Sequence, residues 1–268
     1  HHYNREYDES GYFDWYKSQT ALIKGESKVN FSQNISYGYG AEYKYDSGSF
    51  TNSGSWSSPS ARGNIDNLSL FGNFGYQFLD DTIFSFYARG DNHKTTGINE
   101  TYKINLSHEL SKFKIGLTQS TGVRNPSLYE LYGNNGRTDA YKHVANPDAN
   151  PEKSKTNELK INYYINNNIN FENTFYRTSI KDALLYNSSY KGGSGYTNNK
   201  SDLNQEGIET SLNFKKKNNI LKIYNTISSS RGTDGTRQLN RPDSTYGIIY
   251  SMNIKNSLIG PFSLNYNY

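Results

Sequence analysis

Apolar and polar residues alternate along much of this chain. From Val29 to Tyr45 most odd-numbered positions carry an aliphatic or aromatic side chain, and the positions between them are polar or glycine. Successive side chains of a β-strand point to opposite faces, so this period of two predicts strands with one apolar face. The same period recurs in segments 68–78, 102–110, 159–165, 208–214 and 246–254. The pattern predicts an all-β chain of about twelve antiparallel strands, each of roughly ten residues.

The predicted connections alternate between short and long. Short turns are expected near Gly25, Asp80, Ser111, Asn167, Lys216 and Ser257. Long loops are expected near Gly54, near Lys94 and over residues 123–154, 179–203 and 229–241. Outer-membrane barrels have short turns at one end and longer loops at the other, and their strands are long enough to cross the bilayer when tilted. The spacing therefore favours a transmembrane antiparallel β-barrel.

Composition agrees with that prediction. The mean hydropathy is −0.89, yet aromatic residues make up 15% of the chain and 25 of them are tyrosines. Disordered chains are poor in aromatic residues, whereas a membrane barrel combines a polar interior with aromatic girdles. No apolar run approaches the ~20 residues of a membrane helix, so any crossing must be made by strands.

Charge and reactive residues exclude several classes of function. The net charge is +4 and no basic stripe is present, which argues against a nucleic-acid partner. Cysteine is absent, so disulfides and thiolate metal sites are excluded. His108 lies on the apolar face of its strand, and His93 and His143 lie in predicted loops. None has a serine, aspartate or second histidine at the spacing of a catalytic triad or metal site, so we predict no enzyme, no metal site and no cofactor.

One long loop interrupts the regular pattern. A strand ends at Gly122, a segment follows that begins at Pro126, and Asn146–Pro151 leads into the next strand. A connection of about thirty residues is longer than usual, and such loops more often carry function.

The sequence of this loop, together with two later motifs, resembles the signature of TonB-dependent outer-membrane receptors. The resemblance rests on GVRNPSLYELYG at 122–133, NPDANPEKS at 146–154 with the later Glu158, NQEGIE at 204–209, and LNRP at 239–242. It covers about residues 64 to 268. Val123, Asn125 and Asn240 depart from the more common aromatic residue, alanine and arginine. In the length and order of its segments the chain is most similar to the cobalamin receptors of this family.

The resemblance implies a partial barrel. Receptors of this family have about 22 strands around a plugged lumen, so residues 1–268 would form one barrel domain that lacks the N-terminal plug. It also implies a location in the bacterial outer membrane and a TonB partner that acts through the missing plug. The ligand would be a scarce small molecule such as cobalamin or a ferric siderophore.

The resemblance also assigns roles to individual residues. Five are candidates to face the ligand at the extracellular mouth: Arg124, Asn125, Tyr129, Tyr132 and Arg241. Seven are expected to structure the loop: Pro126, Leu128, Glu130, Leu131, Pro151, Glu152 and Glu158. For Arg124 and Arg241 an ion pair with a loop carboxylate remains an equal alternative to ligand contact.

Three other functions remain open at this point. A passive pore or autotransporter barrel of about twelve strands would need no plug and no inward-folded loop. A secreted β-rich adhesin would be soluble without detergent. An outer-membrane hydrolase would need a catalytic constellation that the sequence does not display.

Overall fold

The computed structural model describes residues 13–53, 61–133, 142–233, 235–237, 242–256 and 260–267. These residues form one short helix and fifteen strands, numbered in chain order. The strands are β1 Phe13–Asn30, β2 Ile35–Ser53, β3 Ala61–Leu79, β4 Thr82–His93, β5 Gly97–Leu110, β6 Phe113–Arg124, β7 His143–Val144, β8 Glu152–Asn166, β9 Ile169–Lys181, β10 Leu184–Tyr190, β11 Gly193–Asn198, β12 Leu203–Lys216, β13 Asn219–Gly232, β14 Ser244–Asn256 and β15 Gly260–Asn267. Helix α1 spans Leu128–Tyr132 and lies between β6 and β7.

Twelve of the strands form a single antiparallel sheet, which is part of a barrel. Its order is β1-β2-β3-β4-β5-β6-β8-β9-β12-β13-β14-β15, so every strand pairs with the next long strand along the chain. The other three strands form a small separate sheet in the order β10-β11-β7. The all-β, partial-barrel prediction is therefore confirmed. No helix in the described part of the chain has the length and apolar character needed to span a membrane.

The register gives the large sheet two chemically different faces. One cross-strand row is apolar and consists of Leu117, Leu159, Phe175, Ile208 and Ile227. The neighbouring row on the opposite face is mostly polar and consists of Thr118, Glu158, Tyr176, Gly207 and Ser228. We call the apolar side the outer face and the polar side the inner face. An apolar surface on the outside and a polar lumen are what a bilayer requires of a barrel.

Four of the predicted short turns are confirmed, at residues 80–81, 111–112, 167–168 and 217–218. The turn predicted near Gly25 is wrong, because Gly25 lies within β1 and pairs with Ala41. The chain instead reverses at residues 31–34, where the Ser32 hydroxyl accepts hydrogen bonds from the amides of Asn34 and Ile35. Odd positions pair with odd positions across this turn, so the alternation continues unbroken and hides the reversal.

The long connections also differ from prediction. The loop expected near Lys94 is a turn of three residues between β4 and β5. The loop expected over residues 179–203 contains the hairpin of β10 and β11, which the sequence reading missed. The connections predicted near Gly54 and Ser257 fall on residues 54–60 and 257–259, outside the described residues.

Candidate functional site

Helix α1 begins at a capping box. The Ser127 side chain accepts a hydrogen bond from the amide of Glu130, and the Glu130 carboxylate accepts one of 2.7 Å from the amide of Ser127. Both first-turn amides are thereby satisfied within the segment, which is what this pairing of residues does at a helix start. The helix ends at Gly133, where a β-carbon would lie 2.4 Å from the carbonyl oxygen of Tyr129. Local sequence alone thus specifies a helix of about one turn.

An ion-pair cluster fixes this helix to the end of the sheet. The Arg124 guanidinium contacts Glu152 at 2.6 Å and Glu130 at 3.1 Å. Glu152 is directly opposite Arg124 in the register of β6 and β8, and its second oxygen accepts a 2.5 Å hydrogen bond from the amide of Leu184 in β10. The Glu130 side chain is only 9% exposed, so its charge depends on Arg124 for compensation. Arg124 and Glu152 therefore join α1, β8 and the β10–β11 hairpin at one point.

Apolar contacts hold α1 against the inner face of the sheet. Leu131 is 1% exposed and packs with Ile65 of β3, Ala149 and Leu184. The ring of Tyr132 lies over Gly63, where a β-carbon would come within 2.0 Å of it.

The glycine pair of β2 and β3 makes this close packing possible. Leu128 lies over Gly48, which is paired with Gly63 across the two strands. The loop after β6 therefore folds inward, across β4 and β5, onto a pair of glycines that leaves room for its side chains.

The second part of the loop is built onto the β10–β11 hairpin. β7 pairs in parallel with β11, and the Asn146 side chain donates to the carbonyl of Tyr196 at 3.0 Å. The His143 ring stacks on Tyr129 of α1 at 4.6 Å and meets the edge of the Tyr196 ring at 5.9 Å. Burial lowers the pKa of His143 below its ordinary value of 6.5, because the charged ring would lose hydration there. Neutral His143 is thus the form that fits between the two tyrosines.

A cavity of about 510 Å³ lies between this loop and the inner face of the first strands. Its wall combines the rings of Phe50 and Tyr129, packed edge to face at 5.4 Å, with polar side chains from the strands and from the loop. Lys44, Asp46, Asn67, His93 and Asn125 supply the polar part, and Lys44 is ion-paired with Asp46 at 2.7 Å. The arrangement suits a ligand that has both a flat or apolar part and several oxygen acceptors.

Hydrogen bonds fix two of the polar groups in this cavity. The Asn125 side-chain oxygen accepts a 2.8 Å hydrogen bond from the Thr96 hydroxyl, so its amide N–H groups are the part left to donate. The amides of Thr95 and Thr96 point at Nδ1 of His93, so a neutral His93 carries its proton on Nε2. No group of three or more acidic or histidine side chains in the described part of the chain is placed to hold a metal ion.

Comparison with known proteins identifies the family. The family model for the TonB dependent receptor-like β-barrel matches residues 2–268. The chain belongs to this family. A comparison with curated proteins finds no match.

Solved structures show the same fold in receptors of metal complexes and metals. The siderophore receptor PirA from Acinetobacter baumannii has a TM-score of 0.71 and 16% identity, covering 98% of this chain and 48% of that one. The copper transporter OprC has a TM-score of 0.69 and 12% identity, covering 90% of this chain and 42% of that one. The ferric yersiniabactin uptake receptor FyuA from Yersinia pestis has a TM-score of 0.66 and 14% identity, covering 99% of this chain and 45% of that one. The chain thus spans about half, or less, of the length of these structures.

The names of these structures do not support the narrower resemblance to cobalamin receptors. They describe siderophore, copper and ferric-complex receptors. At sequence identities of 12% to 16%, the similarity to these structures shows a shared fold.

Residues of the receptor motif line the cavity, form the ion-pair cluster or pack in the interior of the loop. Asn125 and Tyr129 line the cavity, whereas the Arg124 guanidinium lies in the ion-pair cluster and Tyr132 packs on Gly63. Pro126, Glu130, Leu131 and Pro151 are buried, Leu128 is half-buried, and Glu152 accepts hydrogen bonds from two elements. Glu158 lies further along β8, on the inner face opposite Thr118 and Tyr176. Arg241 falls outside the described residues.

Several residues of the site were missed by sequence reasoning. Helix α1 packs on Gly48 and Gly63, and the loop packs on Tyr196 and the rest of the β10–β11 hairpin. The glycines become adjacent only through the register of β2 and β3, which the sequence does not display. The hairpin had a visible signal in Lys191–Gly192–Gly193, since glycines with positive φ at a tight turn are typical of hairpins.

Proposed function

We propose that this chain is about half of the barrel wall of an outer-membrane receptor that takes up a scarce ligand with energy delivered by TonB. Membership of the receptor family supports this, as does the inward-folded loop that forms a cavity with the inner face of the barrel. In this proposal residues 1–268 are one partial barrel domain, and the plug that contacts TonB lies outside them. The surrounding bilayer covers the apolar outer face.

We propose a ferric siderophore or a similar metal complex as the ligand, ahead of cobalamin. Two observations support this order. The named relatives in fold are receptors of siderophores, iron complexes and copper. The cavity presents the amide of Asn125 and the ammonium group of Lys44, which is ion-paired with Asp46 at 2.7 Å, beside two aromatic rings. Cations and N–H donors suit the oxygen-rich, often anionic groups that chelate iron, and the rings suit their flat parts.

The residues of the loop then divide into two roles. Asn125 and Tyr129 would contact the ligand, while Arg124 and Tyr132 would hold the segment that presents them. Arg241 stays a ligand-facing candidate on the resemblance alone. The barrel wall would contribute shape and hydrogen bonds rather than bond-making chemistry, so the proposal includes no enzymatic step.

Ligand binding to the full-length protein tests this assignment. The purified receptor would be titrated in detergent with a panel of ferric siderophores and with cobalamin, and binding followed by isothermal calorimetry. We expect submicromolar binding of at least one iron complex, weakened about tenfold or more by Tyr129→Ala because an aromatic wall is lost. Tyr246→Ala, which removes an exposed ring from the outer face of β14, is the matched control and should bind normally. Binding of cobalamin alone would reverse the proposed order, and unchanged affinity in Tyr129→Ala would remove Tyr129 from the site.

A further inference from the structure

A cluster of cations lies on the outer face of the sheet, immediately beyond its apolar rows. On this face the row after Leu159 and Phe175 contains Asn157 and Arg177, the next contains Lys155 and Ser179, and the third contains Lys153 and Lys181. We call Lys153, Lys155, Arg177 and Lys181 the basic patch. All four are exposed, whereas the residues that alternate with them on β8 face inward and are half-buried.

The basic patch is electrostatically unsatisfied. Lys153 and Lys181 are directly opposite each other in the register of β8 and β9. Like charges at such a cross-strand position repel and destabilise the sheet. The ion pairs formed by the described residues all lie elsewhere. Glu206 of β12 is opposite Arg177 but forms none of those pairs. Glu206 offsets part of the charge of Arg177, because opposite charges at directly paired positions attract. The described part of the chain therefore leaves this surface with a net charge of about +3, four cations against one carboxylate.

The height of the patch matches the headgroups of a lipid leaflet. Successive rows are two residues apart along strands that rise ~3.3 Å per residue. At the usual strand tilt, the separation between rows is therefore about 5 Å along the membrane normal. Arg177 thus lies about 5 Å, and Lys155 about 10 Å, beyond the apolar edge, in or just above a headgroup layer roughly 5–7 Å thick. Lys153 and Lys181 are one row further out, and their long side chains can bend back toward the membrane.

A groove for hydrocarbon lies directly below the patch. It has a volume of about 550 Å³, and its outer-face lining includes Leu117, Leu159 and Phe175 before it reaches Asn157 and Arg177. The Asn157 side-chain oxygen accepts a 2.8 Å hydrogen bond from Gln119, which leaves its N–H groups to donate to an oxygen acceptor. The apolar groove, the Asn157 amide and the cations therefore lie in the same order as the acyl chain, the linkage and the charged headgroup of a lipid.

We propose that this surface is a binding site for a lipid whose headgroup carries phosphate, with Lys155 and Arg177 as its principal contacts. Arginine and lysine both bind phosphate, arginine through two parallel N–H donors. Binding would also relieve the repulsion between Lys153 and Lys181. The inference rests on the proposed outer-membrane location but is independent of which ligand the receptor takes up.

Native mass spectrometry of the full-length protein in a non-ionic detergent tests the site. The probe is phosphatidic acid, a phosphate-monoester lipid, compared with phosphatidylcholine of the same acyl chains. We expect selective binding of phosphatidic acid, and a loss of affinity on the order of tenfold in the double variant Lys155→Gln with Arg177→Gln. Lys216→Gln with Lys217→Gln, at the β12–β13 turn, removes the same charge from the opposite end of the barrel and should bind as the unmodified protein does.

A second variant separates binding from structure. In lipid-free detergent Lys181→Gln should leave the unfolding temperature unchanged or raise it, because a repulsion is removed, while phosphatidic acid should protect it less. Four results would overturn the proposal: equal binding of phosphatidylcholine, equal loss in both double variants, displacement of the lipid by inorganic phosphate, or destabilisation of lipid-free Lys181→Gln. Failure to take up any iron complex would leave the lipid site standing and refute only the transport function. Absence of the protein from the outer-membrane fraction would remove the location on which both rest.

Discussion

Replacing Gly63 by alanine should displace helix α1 without disturbing the barrel. The added β-carbon would lie 2.0 Å from Cδ2 of Tyr132, and ordinary contact begins at 3.4 Å. The atom it meets belongs to the body of the ring, so rotation of a flexible tip cannot relieve the contact and the helix must shift by about 1.4 Å. Overpacking of this kind costs about 1–3 kcal/mol. The cost falls on the inward-folded loop, because β3 keeps its backbone pairing with β2 and β4.

Hydrogen exchange measured by mass spectrometry on the full-length protein gives the readout. At a cost of about 1–3 kcal/mol, amides of α1 and of residues 142–151 should exchange roughly 5- to 150-fold faster in Gly63→Ala, since each 1.4 kcal/mol is a factor of ten. Gly90→Ala on β4 is the control, because a β-carbon there meets nothing within 4 Å. The double variant Gly63→Ala with Tyr132→Ala should recover part of the protection. Unchanged exchange in Gly63→Ala, or no recovery in the double variant, would refute the packing of α1 on this glycine.

Three further predictions concern the same loop. Arg124→Ala should leave the nearly buried Glu130 carboxylate without its cation and destabilise the loop by about 1–3 kcal/mol, measured as faster proteolysis between α1 and β8, and adding Glu130→Gln should restore part of the resistance. Gly195→Ala would place a β-carbon 2.5 Å from the carbonyl oxygen of Val144, so the β7–β11 pairing should lose its exchange protection. Because burial lowers the pKa of His143 below 6.5, the stabilisation that the neutral ring provides is complete above pH 6.5 and is lost as the pH falls through the lowered pKa. The exchange protection factors of β7 and β11, which compare the observed rate with the intrinsic rate at each pH, should therefore fall as the pH is lowered below 6.5, and His143→Gln should flatten the change.

Strand content and the nature of the long loop were accessible from sequence. Period-two alternation identified the long strands because the outer face contacts lipid and the inner face contacts water. Successive positions along each strand must therefore alternate between apolar and polar residues. The capping residues Ser127 and Glu130 are likewise legible, since they act within one turn of chain. The ion-pair alternative that the sequence left open for Arg124 corresponds to the contacts it makes with Glu130 and Glu152.

What could not be predicted depends on pairing between distant segments. The reversal at residues 31–34 was hidden because the register keeps odd positions on one face on both sides of the turn. The surface on which α1 packs forms because Gly48 and Gly63 are opposite each other. The basic patch likewise forms because Lys153 is opposite Lys181. In each case the single strands look ordinary, and only the register brings the residues together.

Uptake by living cells tests whether this receptor transports its ligand with energy from TonB. The full-length gene would be expressed in a bacterial strain that lacks its own iron receptors, and accumulation of ⁵⁵Fe-siderophores would be measured with TonB present and with TonB deleted. We expect saturable accumulation that requires TonB and that falls in Tyr129→Ala. Accumulation that is equal in both strains and rises linearly with concentration would show a passive pore and contradict TonB-dependent transport.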